Sequence, residues 1–310
     1  MGKRGKSRIL ILLLITLIYA VCYVTIKAGL AFAPPLLFAG LRALIAGISL
    51  LAITIVLHQP LVPSPRQWLH MGALALTATT MTYAGMFLSP GRVGAGIASV
   101  LGNVQPLVII ILAGVFLGER LTPGKLAALL LGLIGVYFIV SPSLNVTDNS
   151  GALGLILALA ASVGSACGSI IFKTMKSQQQ LFTITAWQLI VGSLPLFIGS
   201  LAIERDVKVV WNGEFLGLLL FLALIGTSFT SVAWYWLVQR EDVGRLSISL
   251  FLVPLLGLAI AVVTLGEELS LLKAVGVFIA LVGVGIAMIE ASKIPLNQPQ
   301  LSLKGSVKGD

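Results

Sequence analysis

Ten long apolar stretches dominate the sequence and restrict the chain to folds that lie in a membrane. A helix that crosses a bilayer needs about 20 mostly apolar residues, and each stretch comes close to that length. The predicted spans are residues 9–30, 35–57, 67–89, 93–117, 123–141, 151–174, 181–203, 213–238, 243–265 and 270–290. We therefore expect an all-α integral membrane protein with ten transmembrane helices.

The composition supports this class and argues against a soluble or a nucleic-acid-binding protein. Of the 310 residues, 58% are hydrophobic and 10% are charged, whereas soluble domains contain about 25% charged residues. The net charge is +9, but Lys and Arg lie mostly in short loops and form no basic face with interleaved aromatic residues. Cys22 and Cys167 both lie within apolar runs, so we interpret them as packing residues.

The distribution of Lys and Arg predicts which side of the membrane each loop faces. With the N-terminus in the cytoplasm, fourteen Lys and Arg lie in cytoplasmic segments and five lie on the other side. Both termini are therefore expected in the cytoplasm, and the protein in a bacterial cytoplasmic (inner) membrane. The basic N-terminus and the apolar run after it also fit a signal peptide, but Lys27 interrupts that run, which favours a retained first span.

Polar positions recur after about 148 residues, which indicates two copies of one unit. A shift of 148 residues places Pro254 over Pro106 and carries TTMT at 79–82 onto TSFT at 227–230. Each copy has five spans, an odd number, so the copies must cross the membrane in opposite directions, as in many secondary transporters. The predicted organisation is 1–145 for the first repeat, 146–290 for the second, inverted repeat and 291–310 for a disordered cytoplasmic tail.

Three segments resemble a known family. They are APPLLFAGLRALIAG in the second span, SVLGNVQPLVIIILAGVFLGERLTPGKLAALLLGLIGVYFI across spans four and five, and SLFLVPLLGLAIAVVTLGEELSLLKAVGVFIALVGVGI near the end. In both halves a Pro is followed by Gly-Glu and then by Gly-Val. On these motifs the chain resembles the EamA-type branch of the drug/metabolite transporter superfamily over nearly all of residues 9–290. The resemblance implies a ten-helix transporter that exports or exchanges amino acids and other small metabolites.

Hydroxyl, amide and aromatic residues follow one face of several predicted helices, because residues three or four apart share a face. A single Ser or Thr in a membrane helix often bonds only a nearby backbone group. These stripes, however, recur in spans one and six, three and eight, and four and nine, so we interpret them as one shared substrate path. The predicted substrate-binding residues are Tyr19, Tyr23, Arg42, Thr79, Tyr83, Asn103, Trp187, Gln188, Trp234 and Ser247.

Arg42 is a charged residue within the second predicted span. It lies about 10 Å along the helix at about 1.5 Å per residue. An Arg at mid-membrane costs at least ~2.5 kcal/mol, so it normally faces a partner or a cavity. Substrate contact and a structural role, such as snorkelling or bonding of helix-end carbonyls, both remain open. A shift of 146 residues places Gln188 at the equivalent position of the second half.

Four other charges lie at the ends of predicted spans. Lys27 and Lys173, near opposite membrane faces, are interpreted either as rim charges that attract anions or as interfacial anchors. Glu119 and Glu267 end spans four and nine and are predicted to favour the N-termini of spans five and ten through the helix dipole. No Asp or Glu lies near the middle of a predicted span, which argues against a buried carboxylate proton relay.

Pro106 and Pro254 are predicted to bend spans four and nine. Proline has no N–H and crowds the carbonyl four residues back, and within a bilayer such a break needs protein, polar groups or water nearby. We interpret both prolines as hinges that border the substrate path. Spans five and ten instead carry small residues that allow close helix packing. These residues are Gly124, Ala128, Gly132 and Gly135 in span five, and Gly276, Ala280 and Gly283 in span ten.

Together these patterns predict a secondary transporter that works by alternating access. A cation within a span, without an embedded acid, favours a carboxylate-bearing substrate, and the aromatic residues would supply an apolar wall. An amino acid or a related amphipathic metabolite fits both features. The alternatives are a multidrug or cationic-compound exporter, a membrane scaffold and an intramembrane enzyme, although no catalytic or metal-binding motif occurs. We expect no cofactor and no metal, and the expected partners are a small-molecule substrate and the lipid bilayer, not nucleic acid.

Overall fold

The fold is a helical bundle, represented here by a computed structural model. It describes residues 3–89, 104–141, 149–175, 180–204, 208–253, 255–256, 260 and 271–293. The helices, in chain order, are α1 (Lys3–Gly29), α2 (Pro35–Val56), α3 (Pro65–Leu88), α4 (Gln105–Leu117), α5 (Pro123–Val140), α6 (Asn149–Met175), α7 (Leu181–Ile203), α8 (Gly213–Arg240), α9 (Val243–Ile248) and α10 (Leu271–Lys293).

The helix lengths agree with a membrane protein. Within the described residues, α1, α2, α3, α6, α7 and α8 are long and apolar enough to cross a bilayer, and α4, α5 and α10 contain shorter apolar helices. The predicted bounds are close to those observed, since α2 and α7 were expected at 35–57 and 181–203. The predicted fold class is therefore confirmed. The count of ten spans stays a prediction, because parts of the fourth and ninth lie outside the described residues.

Contacts at the helix ends show that α1 and α6 run in opposite directions. Arg8, near the start of α1, forms an ion pair with Glu241, which follows α8 directly. Lys173, near the end of α6, donates to the main-chain carbonyl of the same Glu241 at 2.7 Å. The start of α1 and the end of α6, its counterpart in the second repeat, therefore lie at the same end of the bundle.

The largest apolar core joins α1, α2, α3, α7 and α8. The ring of Phe38 lies 5.4 Å from that of Phe87 and 5.3 Å from that of Phe215, and all three side chains are fully buried. Gly47 allows α2 to approach α7, since a Cβ there would lie 2.6 Å from Ile190 and 2.9 Å from the carbonyl of Ala186. Close packing of this kind is a main driving force for helix association in lipid.

The small-residue faces of α5 and α10 pack against each other; the sequence indicated close packing on both faces but not which helix each one meets. A Cβ on Gly135 would lie 2.6 Å from the carbonyl of Gly276, and one on Gly283 would lie 2.8 Å from the carbonyl of Ala128. Both contacts are to rigid backbone, which cannot move aside as a side-chain end can. These two helices thus form a close pair beside the rest of the bundle.

The third and eighth helices share an unusual feature that the sequence did not predict. Each contains a π-helical segment, Ala75–Met81 in α3 and Phe221–Phe229 in α8, at positions related by the repeat. Hydroxyl groups bond carbonyls five residues earlier, from Thr82 to Thr77 and from Ser228 to Ala223. Such segments are rare and occur frequently at functional sites.

We expect Gly135→Ala to lower thermal stability, because its new methyl group would collide with the backbone of α10. Overpacking of this kind costs about 1–3 kcal/mol. Gly72→Ala in α3 is the matched control, since no atom lies within 4 Å of its Cβ position and Ala is the better helix former. Thermal unfolding of the purified protein in detergent measures both, and equal effects of the two substitutions would contradict the close α5–α10 packing.

Candidate functional site

Arg42 lies in the interior of the bundle and connects the first repeat to the second. Its side chain is 3% exposed. Nε donates a 2.6 Å hydrogen bond to the hydroxyl of Thr227, and Nη2 donates a 3.0 Å bond to the carbonyl of Gly226. Both acceptors belong to the π-helical segment of α8. The unusual helix geometry thus lies at the point where the buried charge meets the opposite repeat.

One guanidinium nitrogen of Arg42 has no partner. Nη1 is buried and makes no hydrogen bond, although a buried donor of a charged group is costly to leave unpaired. The guanidinium carbon lies 5.0 Å from the ring centre of Tyr83 and 5.9 Å from that of Phe87. Tyr19 also lies close to Tyr83, Thr230 and Arg42. A cation with a free donor is therefore surrounded by aromatic rings and hydroxyl groups.

Further polar and aromatic residues extend this cluster into the second repeat. Gln188, 2% exposed, accepts a 3.1 Å hydrogen bond at its Oε1 from the hydroxyl of Tyr235. The ring of Tyr235 stacks on Phe172, with centroids 4.0 Å apart. The indole nitrogen of Trp234 donates to the hydroxyl of Ser169 at 3.1 Å. We call the set Tyr19, Arg42, Tyr83, Gln188, Thr227, Thr230 and Tyr235 the central cluster.

Helices α1 and α8 lie close together beside the guanidinium of Arg42. A Cβ on Gly226 would lie 2.6 Å from the Cys22 sulfur and 3.7 Å from Arg42 Nη2. Cys22 is buried and unpaired with the other cysteine, which agrees with its interpretation as a packing residue. The glycine therefore lets α1 and α8 approach each other beside the guanidinium.

Three of the predicted binding residues lie apart from Arg42. Thr79 packs on Gly192 of α7, and its buried hydroxyl has no hydrogen-bond partner. Trp187 donates from its indole nitrogen to the carbonyl of Leu61 at 2.7 Å, in the connection between α2 and α3. Ser247 bonds the carbonyl of Gly244 within α9 at 2.7 Å. The periodicity identified polar faces but not how each helix is rotated towards its neighbours.

Other predicted residues lie partly or wholly outside the described residues. This applies to Asn103 and Pro254, and to the side chain of Tyr23. Pro106 is buried in the first turn of α4, where the ring is tolerated because that N–H has no helical partner. The hinge role of both prolines stays a prediction. Lys27 is exposed in the last turn of α1.

A second polar cluster lies at one end of the bundle, around the connection between α8 and α9. Lys173 donates to the carbonyls of Val238 and Glu241 at 2.6 and 2.7 Å, so it binds the C-terminal end of α8. Lys125 Nζ lies 2.7 Å from Asp242 Oδ2 and 3.9 Å from Glu119 Oε2. We call Arg8, Glu119, Lys125, Lys173, Glu241 and Asp242 the terminal charge cluster.

Glu119 has a different partner from the one predicted. Its two carboxylate oxygens accept the main-chain N–H groups of Val243 and Gly244 at 2.7 and 3.0 Å, at the N-terminus of α9. The N-terminus of α5 is capped instead by Thr122, whose hydroxyl accepts from the N–H of Lys125. The prediction that Glu119 favours span five was wrong, because the spatially adjacent helix end lies far away in sequence. The matching residue Glu267 lies outside the described residues.

The acids of the terminal charge cluster have perturbed pKa values. Burial and the neighbouring carboxyl of Asp242 together raise the pKa of Glu119 to about 7, whereas the N–H groups of Val243 and Gly244 oppose the shift. Burial also acts on Asp242, but hydrogen bonds with Glu119 and Lys125 hold its pKa below the ordinary value. The two neighbouring carboxyl groups thus have pKa values shifted in opposite directions.

Sequence reasoning missed several residues of the central cluster. In the sequence, Thr227 and Thr230 stand out only as part of a polar stripe, and no pattern indicates Tyr235. The TSFT motif, which matches TTMT in the first half, was the signal that this part of α8 mattered. The contact of Thr227 with Arg42 joins residues 185 positions apart, which no local pattern can indicate.

Comparison with protein families identifies the chain. The model of the EamA-like transporter family matches twice, at residues 6–141 and 152–289. The protein belongs to the EamA-like transporter family. It is therefore a transporter of the drug/metabolite transporter superfamily and not an enzyme, and the two matches agree with the repeat found in the sequence.

Three related proteins match this chain over most of their length, and their names describe them as transporters or efflux pumps. A probable amino-acid metabolite efflux pump of Escherichia coli is 30% identical over 283 residues, which cover 88% of this chain and 92% of the relative. The protein of the same name from Salmonella typhimurium gives the same values. The uncharacterized transporter YoaV of Bacillus subtilis is 26% identical over 278 residues, covering 87% of this chain and 92% of that one.

A solved crystal structure shares the fold. It superposes with a TM-score of 0.79 at 18% sequence identity, and the match covers 93% of this chain and 98% of the other. At this identity the likeness supports the helical architecture alone.

Loss of the Arg42–Thr227 bond should destabilise this EamA-like transporter. Thr227→Val keeps the side-chain shape but leaves Nε without an acceptor, and hydrogen bonds to charged groups contribute about 1.5–3 kcal/mol. The matched control is Thr185→Val, whose hydroxyl bonds the carbonyl of Leu181 in its own helix and so joins neither a charged group nor a second helix. Thermal unfolding in detergent compares them, and an equal loss would show that the Arg42 anchor adds no stability.

Stability should fall as the pH rises through the titration of Glu119. Its folded-state pKa of about 7 exceeds the ordinary value of 4.5, so between these values the folded protein binds more protons than the unfolded chain. The stabilisation is fully present near pH 4.5 and is lost as the pH passes 7. Thermal midpoints measured from pH 4.5 to 8 should show this slope in wild type and a flatter profile in Glu119→Gln; an unchanged slope in the variant would assign it to other groups.

Proposed function

We propose that this transporter carries small amphipathic metabolites with a carboxylate, a class that includes amino acids and related compounds, and that Arg42 binds the carboxylate. The free and buried Nη1 of Arg42 is the observation that carries the proposal. A carboxylate is the partner that a guanidinium binds most strongly, often with two parallel hydrogen bonds. Nε and Nη2 are already occupied, so Nη1 is the donor offered to the ligand.

The surroundings of Arg42 suit the rest of such a ligand. Tyr83 and Phe87 supply ring faces, and the hydroxyl groups of Tyr19 and Thr230 supply a few polar contacts. Binding sites for small molecules combine apolar walls with a small number of polar groups in this way. The relatives from Escherichia coli and Salmonella typhimurium, named probable amino-acid metabolite efflux pumps, support the same substrate class.

Alternating access is the mechanism that fits an inverted repeat. The central cluster lies between the halves, since Arg42 of the first repeat bonds residues of the second. The terminal charge cluster holds α1, α4, α5, α6, α8 and α9 together at one end. We infer that this end is cytoplasmic, because Lys and Arg are in excess there. Opening towards the cytoplasm would then require these contacts to separate.

A multidrug or cationic-compound exporter is the alternative substrate class. The aromatic rings could accept a lipophilic cation through their faces. Arg42 already lies over two of those rings, and its positive charge would repel a second cation. The carboxylate-bearing class is therefore favoured.

Counterflow in proteoliposomes loaded with a pooled amino-acid and metabolite mixture tests this proposal. Wild type should show saturable exchange, and Arg42→Ala should reduce it about tenfold or more, because a charge-assisted hydrogen bond is lost. Arg42→Lys keeps the charge but not the planar fork and should retain part of the activity.

The matched control is Arg240→Ala, since Arg240 is exposed at the end of α8 and lies over the ring of Trp236. It should transport like wild type. Full exchange in Arg42→Ala, with normal folding of all variants, would make Arg42 a structural residue and overturn the proposed carboxylate contact.

A further inference from the structure

We propose that the ligand at Arg42 is a monoanion without an ammonium group, an organic acid and not a zwitterionic amino acid, so that transport moves negative charge. This inference rests on the proposed function and narrows its substrate class. Its basis is the charge balance of the central cluster, which contains one permanent cation and no acid.

The described acids all lie away from the central cluster. The sequence contains no Asp or Glu before Glu119, and none between 149 and 203 or between 215 and 240. In the described residues, Glu119, Glu204 and Asp242 are engaged at helix ends, where they accept main-chain N–H groups. No carboxylate of the spans that form the central cluster is therefore available to pair with Arg42 or with a ligand ammonium.

The partners of Arg42 leave its charge uncompensated. Thr227 and Gly226 are neutral acceptors, and the rings of Tyr83 and Phe87 stabilise a cation only in part. A ligand with one carboxylate brings the buried site to zero net charge. A zwitterion satisfies Nη1 as well but leaves its own ammonium unpaired in the same interior, and a buried charge without a partner is strongly unfavourable.

The second repeat contributes no counterpart to this charge. Gln188 occupies the position that corresponds to Arg42, so the pseudo-symmetric site has one cation and not two, which matches a monoanion better than a dianion. The side-chain oxygen of Gln188 accepts from Tyr235. One of its two lone pairs is therefore used, and a neutral amide oxygen does not balance the charge of an ammonium.

The charge balance also determines how transport responds to voltage. Arg42 stays with the protein, and no embedded acid carries a proton along with the ligand. Each transported monoanion would then move one negative charge across the membrane. A membrane potential that is negative inside favours its exit, so export would need no coupled proton.

Three probes that share a phenylethyl group separate the charge classes. They are 3-phenylpropanoate, L-phenylalanine and 2-phenylethylamine, which carry a carboxylate alone, both groups and an ammonium alone. Binding to the protein in lipid nanodiscs is measured by isothermal titration calorimetry, and charge movement by currents on a solid-supported membrane. Passive diffusion of the protonated acid moves no net charge, so it does not contribute to the measured current.

We expect 3-phenylpropanoate to bind at least about tenfold more tightly than L-phenylalanine. The weakest binding is expected for 2-phenylethylamine. The acid should also give a saturable current with the sign of an anion, absent in Arg42→Ala and present in Arg240→Ala. Gln188→Glu places a carboxylate in the central cluster, so it should shift the preference from the acid towards L-phenylalanine.

The results separate this inference from the proposed function. Equal binding of the acid and L-phenylalanine, both lost in Arg42→Ala, would overturn the monoanion while the carboxylate contact stands. Saturable uptake of labelled acid without current would overturn the charge movement. Probe binding that is unchanged in Arg42→Ala, or strongest for 2-phenylethylamine, would overturn both.

Discussion

A permanent positive charge buried between the two repeats is the constraint on which the rest of the structure depends. Lipid offers a guanidinium neither water nor counter-ion, so the protein must supply its partners. Arg42 finds two of them in α8, a helix of the other repeat. The bond that satisfies the charge therefore also joins the two halves, which a carrier must move relative to each other.

The π-helical segments link this charge to the repeat architecture. Phe221–Phe229 presents Gly226 and Thr227 to Arg42, and Ala75–Met81 occupies the corresponding place in α3. The two sites have diverged, however. Arg42 is matched by Gln188, whose amide oxygen binds Tyr235, and the hydroxyl of Thr79, the counterpart of Thr227, has no partner. One repeat thus keeps a charged anchor while the other keeps only neutral groups, which makes the central cluster asymmetric in charge.

The helices could be predicted from the sequence because length and hydropathy alone determine what can cross a bilayer. The bounds of α2 and α7 were expected on that basis. For Arg42 the cost of exposure to lipid required a partner, a cavity or the interface, and the sequence left the choice open. The hydrogen-bond partners of the polar side chains were harder to predict. Trp187 shares its helix with Gln188 yet bonds the carbonyl of Leu61, because helix rotation and tilt decide contacts and leave no local pattern.

The most direct test of this account is a high-resolution structure in lipid with 3-phenylpropanoate bound. The account predicts a ligand carboxylate oxygen about 2.7–2.9 Å from Arg42 Nη1, with the phenyl ring against Tyr83 and Phe87 and the bonds to Thr227 and Gly226 retained. A ligand bound elsewhere, with Nη1 paired to a protein carbonyl or to water alone, would contradict the assignment of Arg42 as the carboxylate contact.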